Sequence, residues 1–234
     1  MAADRSAGLH GAVIAFDLDG TLVDTAPDLI GTLNWLLAEE GVAAFGIDEA
    51  RPFIGRGARW MIERGFRAAG TPLEAGQIQP LFERFIARYN DHIADESRPF
   101  PGMIAALEGL RAGGAKLAVC TNKLTGLSMN LLDALKLGYL FDAVIGADAA
   151  PAAKPDPRHL EAAIAAAGGS KDRAIMVGDA ATDAGAARAA GVPLILVSFG
   201  YTDTPIAELT PDIAIDHFDQ LPDACVRLLG ACGS

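Results

Sequence analysis

Short, almost unbroken apolar runs alternate with helical patterns along this chain. The runs lie at residues 12–18, 116–121, 141–146, 173–179 and 193–199, with a weaker one at 212–216. Continuous apolar character over so few residues suits strands covered on both faces, as in a parallel sheet. Between them, residues 101–112, 126–137, 158–167 and 182–190 carry apolar side chains at three- and four-residue spacing. Strands and helices alternating at this length predict a doubly wound, Rossmann-like α/β core with a mostly parallel sheet. Right-handed crossovers then put helices on both faces.

One interval breaks the rhythm. The stretch from Asp19 to Ala115 is far longer than the roughly thirty residues of a simple βαβ unit. It shows no convincing strand but several amphipathic stripes. Leu29, Ile30, Leu33, Leu36 and Leu37 form one; Trp60, Met61, Ile62 and Phe66 form another; Ile78, Leu81, Phe82, Phe85, Ile86 and Tyr89 form a third. The expectation is an inserted α-helical domain at 27–98, closed by the Pro99–Phe100–Pro101–Gly102 turn. Residues 1–26 and 99–234 then make the core.

Composition narrows the class. The 234 residues are 51% apolar and 21% charged, too apolar for a disordered chain. No apolar run is long enough to span a bilayer, and the opening residues lack the pattern of a secretory signal. Cys120, Cys225 and Cys232 form no C-x-x-C pair, which argues against a disulfide framework and fits a reducing cytoplasm. A formal charge of −11 disfavours nucleic-acid or anionic-membrane partners. Either a monomer or a homodimer is compatible with the pattern.

In an open parallel sheet, chemistry collects at the carboxyl ends of the strands. The first run ends Asp17-Leu18-Asp19-Gly20-Thr21, with two carboxylates on one face of an extended segment. The second ends Thr121-Asn122-Lys123. After the third comes Lys154, placed before Pro155 and Pro157 so that it cannot sit mid-helix. The fourth ends Gly178-Asp179 and continues to Asp183. Clustered carboxylates call for a compensating cation, and oxygen donors alone suit a hard ion such as Mg²⁺. A lysine and a helix N-terminus nearby suit phosphate. Together these features point to phosphoryl transfer to an aspartate.

The nine residues from Asp17 to Thr25 resemble the first motif of the haloacid dehalogenase-like superfamily. Thr121-Asn122 resembles its second motif, Lys154-Pro155 its third, and Gly178-Asp179 with Asp183 its fourth. The insert after the first motif resembles the α-helical cap of the subgroup that includes phosphoglycolate phosphatases. The resemblance implies Asp17 as nucleophile, Asp19 as general acid/base, and Lys154 as the cation that neutralises Asp17 and the phosphoryl group. It implies Mg²⁺ on the Asp17 carboxylate, the Asp19 backbone carbonyl and Asp179, with Asp183 as an outer ligand. Substrate contacts are expected at Gly20, Thr121, Asn122 and Arg56.

Within that family the residues favour a phosphatase of small acidic phosphomonoesters. Dehalogenase-like members lack an acid at the position of Asp19. Phosphonatase-like members need a cap lysine, and no lysine occurs between Asp24 and Arg98. A mutase is disfavoured, since the single cap histidine, His92, falls late on the third stripe. Five arginines and one acid lie between Arg51 and Arg67, and the Gly55-Arg56-Gly57 turn resembles a cap specificity loop. Arginine matches a carboxylate bidentately. Alternatives are a broad sugar-phosphate or nucleotide phosphatase, a pyrophosphatase of the same subgroup, or a non-catalytic phospholigand-binding protein.

Overall fold

The computed structural model describes residues 8–231. Six strands, β1 (Val13–Phe16), β4 (Lys116–Cys120), β5 (Ala143–Ile145), β6 (Ala174–Gly178), β7 (Leu194–Val197) and β8 (Ile213–Ile215), form one parallel sheet. Its order is β5-β4-β1-β6-β7-β8. All six predicted runs are strands, each shorter than its run by one to three residues, and the second begins at the predicted Lys116. The chain builds outward from β1 to β5, then returns to β6 on the opposite side of β1. That reversal opens a crevice at the carboxyl end of β1, between β4 and β6.

Period-two alternation sorts the strand side chains onto two faces. Ile14 and Phe16 point to one cluster with Leu117, Val119 and Val177, covered by α5 (Met103–Ala112), α6 (Thr125–Ala134) and α9 (Leu221–Ala231). Val13 and Ala15 point to the other with Ala118, Cys120 and Met176, under α7 (Pro157–Ala166) and α8 (Ala181–Ala190). Both faces are dry, which is why the strands read as continuous apolar runs.

Residues 26–91 fold as α1 (Ala26–Glu39), a one-turn α2 (Ile47–Ala50), α3 (Ala58–Ala68) and α4 (Ile78–Asp91). Leu33, Leu36, Ile62, Phe66, Leu81 and Phe85 share a third hydrophobic cluster there. The chain leaves and returns through a ribbon that the sequence pattern did not foretell: β2 (Val23–Asp24) pairs antiparallel with β3 (Arg98–Pro99). Asp28 reinforces the crossing by accepting from Ser97 N at 2.8 Å, Ser97 Oγ at 2.6 Å and Glu96 N at 3.0 Å. Among the described residues, no helix is long and apolar enough to cross a membrane.

Candidate active site

Asp17 follows β1 and is 2% exposed, although nothing apolar demands a carboxylate there. Its Oδ1 accepts from Leu18 N at 2.8 Å and lies 2.9 Å from Lys154 Nζ. The same ammonium reaches Asp183 Oδ1 at 2.6 Å. Asp183 Oδ2 accepts from the N–H groups of Asp179 and Ala180, tying the end of β6 to the first turn of α8. Asp179 in turn accepts from Thr21 Oγ1 at 3.1 Å and from Tyr201 N at 2.7 Å.

Electrostatics follow from this crowding. Burial drives the Asp17 carboxyl up to about 6, with Lys154 pulling the other way and Asp183 and Asp19 adding to the rise. Burial also raises Asp179, helped by Asp183 and Asp17. Burial opposes the Lys154 charge, yet Asp17 and Asp183 outweigh it and hold the ammonium protonated. One ligand oxygen from each of Asp17, Asp179 and Asp183 lies within 4.8 Å of the others. Three buried carboxylates facing one ammonium leave negative charge that a dipositive ion would balance. The donors are all oxygen, so the residues present fit a hard cation. Asp183 already spends both oxygens on Lys154 and the backbone.

Backbone clearance shapes the same spot. Gly20 adopts φ +82°, and a Cβ there would meet Asp179 Oδ2 at 2.7 Å and the Tyr201 ring at 2.8 Å. Only glycine lets the turn after Asp19 pass so close.

Asp19 faces a different set of partners. Its Oδ1 accepts from Thr25 Oγ1 at 2.7 Å, and Lys123 Nζ spans both carboxylate oxygens at 2.8 and 3.0 Å. Lys123 was part of the Thr121-Asn122-Lys123 strand end, but its pairing with Asp19 could not be read from sequence. Thr121 is buried, with its hydroxyl accepting from Lys123 N at 3.2 Å. Asn122 turns its amide away to a structural task. It receives Lys154 N at 2.9 Å and donates to the carbonyls of Lys154 and Gly55, each at 3.1 Å. His159 supports the same segment, with Nδ1 accepting from Lys154 N and Nε2 donating to Ile145 O, both at 3.2 Å. Burial first, and then Lys154, push this imidazole down to about 4, so it is neutral.

Asp17, Asp19, Thr121 and Asn122 line a cavity of about 220 Å³. Its opposite wall comes from the helical segment: Ile54, Met61, Phe82, Phe85, Ile86 and Tyr89. The third sequence stripe therefore serves two purposes, because Leu81 packs in the hydrophobic cluster while Phe82 and Ile86 face the cavity. Gly57, at φ +87°, brings the 55–57 turn so near the strand ends that a Cβ would lie 3.2 Å from Asn122 O. Arg56 borders the cavity but is exposed, its guanidinium 5.1 Å above the Trp60 ring. Arg59 lies 4.2 Å above Phe82 and hydrogen-bonds Gln79. His92 sits outside this wall and pairs with Asp95 at 2.7 Å.

Tyr201 joins the two sides. Its hydroxyl accepts from Thr25 N at 2.7 Å and Ala26 N at 3.0 Å, and donates to Asp24 Oδ1 at 2.6 Å. Arg51 pairs with that same Asp24 oxygen at 3.2 Å and lies 5.3 Å above the Tyr201 ring.

Residues 14–197 match the family model described as haloacid dehalogenase-like hydrolase. The chain is 58% identical to a phosphoglycolate phosphatase of Caulobacter vibrioides, over 96% of this chain and 94% of that one. It is 47% identical to a phosphoglycolate phosphatase of Agrobacterium fabrum, over 94% of each. Among solved structures, a predicted phosphoglycolate phosphatase from Haemophilus somnus superposes with a TM-score of 0.85 at 29% identity, covering 92% of this chain and 98% of that one.

Proposed function

This chain belongs to the haloacid dehalogenase-like hydrolases, and we propose that within them it is a Mg²⁺-dependent phosphatase of 2-phosphoglycolate. The observation that carries the reading is a buried aspartate, held by a lysine, at the floor of a cavity beside two further carboxylates. The similarity to phosphoglycolate phosphatases over nearly the whole chain supports the choice of substrate.

In this reading Asp17 attacks phosphorus, and the bond to the ester oxygen breaks to leave an aspartyl-phosphate. Asp19, entering this step as the carboxylic acid, gives its proton to the departing alkoxide and is left as the carboxylate. It then takes one from the water that attacks the aspartyl-phosphate, which frees phosphate and restores Asp17. Lys154 neutralises Asp17 and the phosphoryl oxygens, and Thr121 and the Asn122 backbone hold those oxygens in place. Asp17, the Asp19 carbonyl and Asp179 would hold Mg²⁺, with Asp183 behind them. When bound, the ion supplies a positive charge against the phosphoryl oxygens. Residues 27–98 act as a cap that excludes water while the ester is cleaved.

The test is phosphate release from 2-phosphoglycolate, glucose 6-phosphate and a nucleoside monophosphate, each with Mg²⁺ and with EDTA. EDTA should abolish turnover, and 2-phosphoglycolate should lead by about tenfold or more in kcat/KM. A preference for uncharged sugar phosphates, or full activity in EDTA, would overturn the reading.

A further inference from the structure

The phosphoryl end of the cavity is crowded with assigned groups, but the rest of the substrate needs a partner too. A two-carbon acid ester carries its carboxylate carbon only two bonds from the ester oxygen. In the reading above Asp19 protonates that oxygen, so the carboxylate must fall beside Asp19. The cation beside Asp19 is Lys123, with Nζ 2.8 and 3.0 Å from the two carboxylate oxygens. It is buried on the cavity wall. An ammonium has three donors, and Asp19 takes two of them.

The neighbouring residue supplies a second donor. Tyr89 is 1% exposed and lines the same cavity, with its ring centroid 4.6 Å from Lys123 Nζ. Its hydroxyl makes no hydrogen bond of normal geometry among the described residues, although the Lys123 ammonium lies close enough to act on it electrostatically. Buried hydroxyls without partners are uncommon and carry a penalty that a ligand can relieve. Around this pair the cavity is walled by Phe85, Ile86, Leu124 and Leu127. Arg56 and Arg59, the other cations at the cavity, are exposed and lie on aromatic faces instead.

We propose that Lys123 and the Tyr89 hydroxyl together form the seat of the substrate carboxylate, and so select a short acidic ester. The inference rests on the phosphatase reading and deepens it. Lys123 then serves both sides of the substrate, holding Asp19 at the ester oxygen while binding the acid two bonds away. The spacing also sets length. An acid further along the carbon chain would be carried past Lys123 into the apolar wall.

The experiment compares 2-phosphoglycolate with ethyl phosphate, which keeps the two carbons and ends in a methyl group, using the full chain with Mg²⁺. Lys123→Met should lower kcat/KM for both, because Asp19 loses its partner. For 2-phosphoglycolate the fall should be about tenfold greater, with the excess in KM. Lys123→Arg should restore part of that selectivity. Tyr89→Phe removes a hydroxyl that makes no hydrogen bond of normal geometry among the described residues, so it should fold normally and still reduce selectivity about threefold, again through KM. Equal losses on the two substrates in Lys123→Met, with selectivity intact in Tyr89→Phe, would overturn the proposal while leaving the phosphatase reading standing. A native protein that does not prefer 2-phosphoglycolate over ethyl phosphate would instead remove the substrate assignment, and this inference with it.

Discussion

At the strand ends, polar atoms are bound several times over, whereas the helical side of the cavity is apolar apart from the Tyr89 hydroxyl and keeps its arginines outside. Lys154 is fixed through its ammonium by Asp17 and Asp183 and through its backbone by Asn122 and His159. Across the cavity, Phe82 and Ile86 offer shape, and Arg56 and Arg59 lie on rings at the surface. Redundant hydrogen bonding holds reacting groups in one geometry, which is what transition-state stabilisation requires. An apolar wall discriminates by size and can be changed without disturbing the chemistry. The contrast predicts that substitutions at the strand ends alter turnover or stability, while those on the arginines alter little.

The largest effect expected is from Asp17→Asn. Removing the nucleophile should lower kcat by about 10⁴-fold or more, as nucleophile deletions do elsewhere. The fold should survive, because burial already destabilises the Asp17 charge and an amide carries none. Circular dichroism and a thermal melt check the fold, and phosphate release checks the activity. Robust hydrolysis in this variant would break the view that the strand-end cluster holds the chemistry.

How far the sequence alone reaches differs between the same two regions. The strands were readable because both sheet faces are dry, so Val13–Phe16 and Ala174–Gly178 are apolar without interruption. Asp17, Thr121 and Asp179 stood out as polar residues closing such runs. The β2–β3 ribbon was not readable, since two residues per strand carry no periodicity. Helix α9 lies outside the alternating pattern read from the sequence, although Leu221, Ala224, Cys225 and Leu229 have helical spacing and are buried. Lys123 with Asp19, Tyr201 with Thr25, and His159 with Lys154 are pairings made by the fold, for which local sequence offers no signal. The third stripe was legible as a helix, but nothing in it marks Phe82 and Ile86 as facing a cavity.

His159 gives a pH test of the strand-end side. Its folded pKa of about 4 lies below the ordinary 6.5, so between these values the unfolded chain binds the proton and the folded protein does not. The stabilisation is complete above about pH 6.5 and disappears as pH falls toward 4, amounting to about 3 kcal/mol. Urea unfolding of the native protein and His159→Gln at pH 7 and pH 4.5 should show the variant losing less stability on acidification. Parallel losses would mean that His159 is not a buried neutral acceptor for Lys154 N.

Tyr201→Phe tests the tie between the two regions. The hydroxyl accepts two N–H groups at the start of α1, so its loss leaves Thr25 N and Ala26 N without that acceptor. Arg51 still holds Asp24, and Tyr201 N still reaches Asp179, so the strand-end cluster keeps its geometry. The expected cost is about 1–3 kcal/mol of unfolding free energy, read by urea denaturation. An unchanged stability would show that the helical segment is held to the core without this tyrosine.

The smallest effect expected is from Arg56→Ala, and it sharpens the comparison most. A glycine-flanked arginine reads from sequence as the partner of a substrate carboxylate. In the fold its guanidinium is exposed and lies 5.1 Å from the Trp60 ring, a contact worth about 0.5–1 kcal/mol at such a site. If the carboxylate sits on Lys123 and Tyr89, Arg56→Ala should change KM for 2-phosphoglycolate by no more than about threefold. If the loop instead swings Arg56 onto the substrate, a bidentate pair is lost and KM should rise by about tenfold or more. Steady-state kinetics on 2-phosphoglycolate and ethyl phosphate separates the two, because only the second case makes the loss depend on the carboxylate. A large, carboxylate-dependent loss would place specificity on the Arg56 turn rather than on Lys123 and Tyr89.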